Sequence, residues 1–201
     1  MGTRGAFGFR IDGEDKLAYN QYDSYPTGLG LSMIVACKTY PFEQLLAAAD
    51  SLEVIDSSKP PTEEQKQKCR EAGTVNLGVS NQSEDDWYCL LRNAQGDIDS
   101  YVQGKVPFLD NSAGFLKDSL FCEWAYIINI DDKTLEIYKG FNKNPKAPGR
   151  YAALSEPGNS GYYGVRLFRT LALSELYKSD IDAEKLAEQI EEQASEEEAE
   201  V

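Results

Sequence analysis

The sequence predicts an α+β fold: a mainly antiparallel sheet built from N-terminal and C-terminal hairpins and covered by helices from the middle of the chain. Three observations carry this reading. Alternating apolar residues flank short polar turns near Gly13 and near Asp132. Between the two hairpins, from Leu29 to Leu91, apolar residues recur at helical spacing. The strand–turn–helix signatures of a doubly wound parallel sheet are missing from the sequence.

The first hairpin pairs Thr3–Ile11 with Lys16–Tyr22 around the turn Asp12-Gly13-Glu14-Asp15. Gly5 and Gly8 inside its first strand point to a bulge or to close approach by another backbone or a ligand. After Pro26 two buried helical stretches follow, broken at Tyr40-Pro41. Thr62, with Gln65 three residues on, reads as a capped helix start, and Gly73 as its end. Ser83-Glu84-Asp85-Asp86 opens another helix carrying Trp87, Leu90 and Leu91. Residues 93–120, punctuated by Gly96, Gly104, Pro107 and Gly114, read as loop with brief helix. Glu123–Ile130 and Thr134–Tyr138 form the clearest hairpin, β-branched and aromatic around Asp131-Asp132-Lys133. A connection rich in Lys, Pro, Gly and Asn spans residues 140–163, a length that marks functional or mobile loops. GVRLFRTLAL, residues 164–173, is a further strand in which Phe168 breaks the alternation.

Residues 1–179 are expected to form one domain. Residues 180–201 hold ten acids and Lys185, so they carry −9 of the net charge of −14; they read as an acidic helix followed by a disordered tail. The mildly acidic body disfavours nucleic acid as a partner, since phosphate binders present a basic face. No run of about 18 apolar residues predicts a membrane span. There is no histidine, which removes the Ser-His-Asp triad and the usual zinc sets. The four cysteines are widely spaced and read as buried small hydrophobes, so no metal and no cofactor are predicted.

The strongest candidate site is the exit of the first hairpin, YNQYDSYP. Asn20, Asp23, Ser24 and Tyr25 can orient a polar ligand, and Thr27–Gly30 leads into a helix start that favours anions. The same residue types build Asx and Ser turns, which is the competing explanation. Thr3 and Arg4 complete the candidate set. A strand beginning with Thr3 has a counterpart in N-terminal-nucleophile hydrolases, but removal of Met1 exposes Gly2, which carries no nucleophile. Arg4, Arg10, Arg92, Arg166 and Arg169 sit in or beside predicted elements, where arginine marks a paired carboxylate or a bound anion. Twelve tyrosines exceed what a core of this size needs and suit a groove or interface.

The stretches MGTRG, YNQYDSYPTGLG, QSEDDWYCLLR, FCEWAYIINID, TLEIYKGF and GYYGVRL, in that order to about residue 168, resemble a family of uncharacterised bacteriophage and bacterial proteins. The resemblance implies a cytoplasmic setting in a bacterium or infected host cell and supplies no catalytic residues. Two functional classes follow. One is an accessory protein that binds a polar ligand, a host protein or a second copy of itself. The other is a hydrolase or small-ligand enzyme with its pocket at Thr3, Arg4, Asn20, Asp23 and Ser24.

Overall fold

The computed structural model describes residues 2–154, 161–178 and 180–199. Met1, the middle of the long connection and the last two residues of the acidic run lie outside them.

In chain order the elements are β1 (Gly5–Ile11), β2 (Glu14–Asn20), α1 (Leu31–Thr39), α2 (Phe42–Ser51), β3 (Glu53–Val54), α3 (Glu63–Ala72), α4 (Trp87–Leu90), α5 (Ile98–Val102), β4 (Phe108–Leu109), β5 (Trp124–Asn129), β6 (Thr134–Lys139), β7 (Arg166–Ala172), α6 (Leu173–Leu176) and α7 (Ala183–Ala199). The main sheet runs β2-β1-β5-β6-β7, and β3 with β4 form a small parallel pair. The fold is therefore α+β and mainly antiparallel, with N- and C-terminal strands in one sheet and helices from the middle of the chain. The two hairpins join through one parallel pair, β1 beside β5, with Gly5 opposite Trp124.

Local chemistry explains the boundaries. Asp12 and Gly13 both take positive φ, 52° and 78°, the signature of a two-residue hairpin turn. Thr62 and Gln65 form the complete capping box, and Gly73 ends α3 at φ 72°. Gly8 lies at φ 151° and a Cβ there would stand 2.2 Å from the Lys16 carbonyl; at Gly5 it would stand 2.3 Å from the Trp124 carbonyl. Close backbone approach, rather than a ligand, is what these two glycines accommodate.

Strand alternation sends one set of side chains to each face. Phe7, Phe9, Trp124, Tyr126, Ile128, Leu135 and Ile137 face the helices and form the main core. Ala6, Leu17, Ala125, Ile127 and Tyr138 face the other way, under Leu116, Tyr151 and Val165 from irregular segments. The described part of the long connection is thus a strap across the second face. The broken alternation at Phe168 is a bulge: Ile137 pairs with Arg169 and Tyr138 with Leu167, so Phe168 is skipped.

The acidic C-terminal segment packs against the body. Helix α7 runs to Ala199, and Ala187, Ile190 and Ala194 are buried in the main core. Its charges lie outward, while Arg166 pairs with Glu197 and the Lys38 ammonium donates to the carbonyls of Leu176, Lys178 and Ile181 just before the helix. Ile181, Ala183 and Leu186, partly buried against the same core, extend the stripe that docks it.

Candidate functional site

The chain leaves β2 at Asn20 and turns back toward α1. Asn20 and Ser24 are buried, and the Asn20 amide donates to Ser24 Oγ at 2.8 Å and to the Tyr22 carbonyl. Ser24 N–H donates to the Thr3 carbonyl at 3.1 Å, and Tyr126 Oη donates to the Ser24 carbonyl at 3.0 Å. Three of the sequence-predicted residues, Thr3, Asn20 and Ser24, are therefore brought together, in a knot that ties the hairpin exit to the sheet. Their polar groups satisfy one another and the backbone, as turn chemistry requires.

Asp23 differs from these. It takes φ 55°, its carbonyl accepts from Leu29 N–H, and its exposed carboxylate receives only a long contact of 3.4 Å from the Tyr25 hydroxyl. That neighbouring charge is the main reason the Tyr25 hydroxyl is held above its ordinary pKa. The expected anion preference at the helix start is met from within the chain: Thr27 N–H and Oγ1 donate to Glu191 of α7 at 3.0 and 2.6 Å.

Between the hairpin exit and the segment from Arg92 to Asp99 lies an open cleft of about 570 Å³. Asp23, Tyr22 and Ser32 line one side, and Arg92, Gln95 and Asp99 the other. The Arg92 guanidinium stands 5.5 Å from the centre of the Tyr22 ring, which is 53% exposed. Asp97 is not free for a ligand, because its carboxylate caps α5 through Ser100 N–H and Oγ. Arg4 lies outside the cleft, one residue before β1, with its guanidinium 4.8 Å from the centre of the Phe121 ring.

A second polar cluster, absent from the sequence-predicted set, sits on the strap-covered face of the sheet. Arg150 from the strap donates to both Asp15 oxygens at 2.9 and 2.7 Å and to Glu136 at 2.6 Å. Tyr151 donates to Asp15, Tyr138 to Glu136 at 3.0 Å, and Arg10 pairs with Asp15 at 3.1 Å. Burial pushes the Asp15 carboxyl up, but the hydrogen bonds from Arg150 and Tyr151 and the charge of Arg150 outweigh it, and the net pKa is lowered. Burial also lifts the Tyr138 and Tyr151 hydroxyls, so both stay protonated donors. Two arginines face two carboxylates, and the cluster is closed and neutral. The advance signals were the length of the strap and the placing of Arg10 inside a predicted strand.

All four cysteines are buried and unbridged. Burial pushes the thiols of Cys37, Cys69 and Cys122 upward, which leaves them unreactive. Among the described residues no three Cys, Asp or Glu side chains converge as a metal site would need, and no described helix is long and apolar enough to cross a membrane. No protein-family model, curated protein or solved structure matches the chain significantly.

Proposed function

We propose that the protein acts by binding, as an accessory protein of a phage or bacterial cytoplasm, and that the cleft at the hairpin exit receives a polar ligand or a polar segment of a partner protein. The observation that carries this reading is the composition of the cleft. A free carboxylate (Asp23), a guanidinium with unused donors (Arg92) and an exposed aromatic ring (Tyr22) all line one opening. Charge, directional hydrogen bonding and a flat apolar surface in one place are what specific polar recognition uses. Buried Asn20 and Ser24 hold the turn that presents Asp23, which makes them positioning residues.

The test is capture from a bacterial lysate on the immobilised full chain, followed by native mass spectrometry and hydrogen exchange. A stoichiometric bound species should protect backbone amides of residues 20–29 and 92–99. Asp23→Asn and Tyr22→Ala should lose that species while melting as the native chain does. Equal capture by both variants overturns the proposal.

A further inference from the structure

A second open cleft, of about 410 Å³, lies where α4 begins. Asp85 and Asp86 line it from the turn before α4, Trp87 and Tyr88 from the helix itself, and Asp110 from the residue after β4. Trp87, Tyr88 and Asp110 also line a recess of about 40 Å³, whose other walls include Tyr19, Leu91 and Tyr101. Two aromatic rings and one carboxylate are thus common to both hollows. No lysine or arginine lines either of them.

The cations bordering this region are already matched. Lys66 pairs with Asp85 and Glu63, Arg70 with Glu84, and Lys59 with Asp56. Asp86 and Asp110 have no such partner. The half-buried Asp86 accepts from Tyr88 N–H at 2.9 Å and from Ser80 Oγ at 2.6 Å. Burial pushes its carboxyl up, but those hydrogen bonds outweigh it and the net pKa is lowered, so Asp86 is charged at neutral pH. The half-buried Asp110 carboxylate meets no donor and no cation among the described residues, and the Tyr88 hydroxyl meets no partner among them either. The rings are held in place: the Trp87 indole N–H donates to the Lys59 carbonyl at 3.0 Å, and its ring meets Phe108 edge-on at 5.8 Å.

Aromatic faces beside partly desolvated carboxylates suit a cation that carries an apolar body. The acids do not converge as a compact metal ion requires. We propose that this cleft is a receptor for an aliphatic ammonium ion, whose N–H groups donate to Asp110 and Asp86 and whose methylenes lie against Tyr88 and Trp87. The cleft shares no lining residue with the one at the hairpin exit, so the two readings fail separately.

The test is titration of the full chain with butylammonium chloride at constant ionic strength, followed through the indole N–H resonances of Trp87 and Trp124. Trp87 should shift saturably, while Trp124, on β5, should not. Butan-1-ol at the same concentrations, with the same apolar body and no charge, should not saturate. Asp110→Asn should weaken the apparent Kd by about tenfold or more, and Tyr88→Leu by about threefold or more, with circular dichroism confirming the fold. Asp110→Ser stands in for an Asn variant that does not fold. Glu188→Gln, which removes one charge from the exposed side of α7, should change nothing. An Nα-acetyl-lysine amide arm identifies the source: tighter saturation than butylammonium assigns the site to a lysine side chain, and weaker saturation to a free amine. Absence of saturation with butylammonium, equal saturation with butanol, or equal weakening by Glu188→Gln each overturns the receptor.

Discussion

The arginines at the hairpin turn and those near the hairpin exit are placed on opposite principles. At the hairpin turn, Arg10 and Arg150 are enclosed with Asp15 and Glu136 under the strap, every charge matched. At the hairpin exit, Arg4 and Arg92 lie beside exposed rings and form no ion pair among the described residues, although Glu123 accepts from the Arg4 backbone N–H and Asp23 and Asp99 line the cleft with Arg92. The first arrangement secures the chain to itself. The second leaves charge available to something else. The same residue type thus serves cohesion or recognition according to whether the fold supplies the counter-ion.

The contrast can be broken most severely at the closed end. Arg150→Met leaves the largely buried Glu136 without its cation and Asp15 with Arg10 alone, and loss of one partner of such a pair costs about 3 kcal/mol or more, on the order of 10 °C in Tm. Differential scanning calorimetry measures it. Adding Asp15→Asn to that variant should cost less than Asp15→Asn does in the native chain, because the stranded charge is then gone. A strictly additive result would show that the cluster is not coupled.

Acid should reach the same cluster. Because the Asp15 pKa is lowered on folding from its ordinary 3.8, its contribution is fully present above that value and is lost as pH falls through the folded pKa. Urea unfolding of native and Asp15→Asn chains should therefore differ by a constant amount down to about pH 4 and converge below it. A difference that grows with acidity contradicts the assignment.

Smaller effects belong to the other end. Asn20→Ala or Ser24→Ala strands a partner in the buried knot and should cost about 1–3 kcal/mol, seen in urea midpoints. Arg4→Gln and Arg92→Gln should change stability by no more than about 0.5 kcal/mol. If they destabilise as Arg150→Met does, the open end is structural after all and the contrast disappears.

Much of the fold was legible because it is encoded locally. Asp12-Gly13, the Thr62–Gln65 box and Gly73 each specify their own backbone, and the structure places the turn, cap and stop at those residues. The α1–α2 break at Tyr40-Pro41 is local in the same sense. The parallel pairing of β1 with β5 was not legible, because nothing in either strand names its neighbour. Ala187 and Ala194 of helix α7, buried beside Ile190, were not legible as a core-facing stripe, because small residues among the ten acids of residues 180–201 carry little hydropathy. At the site, Asn20, Asp23 and Ser24 announced a turn and made one. Arg150 could not be foreseen, since a loop residue meets its carboxylates only after the strap is laid down. Arg92 was noticed, but which of the arginines would lack a carboxylate depends on tertiary packing.

The parallel pair has a consequence for how the chain is made. The first strand hydrogen-bonds to one that begins 119 residues later, Gly5 to Trp124. Loops of that size close late, and until they do the edge of β1 stays open. On the ribosome, the β1–β2 hairpin must therefore wait until residues 124–129 emerge, with an unpaired, glycine-rich edge, before the central ladder can form. The edge of β1 is thus the one most exposed to mispairing or to chaperones, so the speed with which residues 124–139 emerge should govern the yield of native protein.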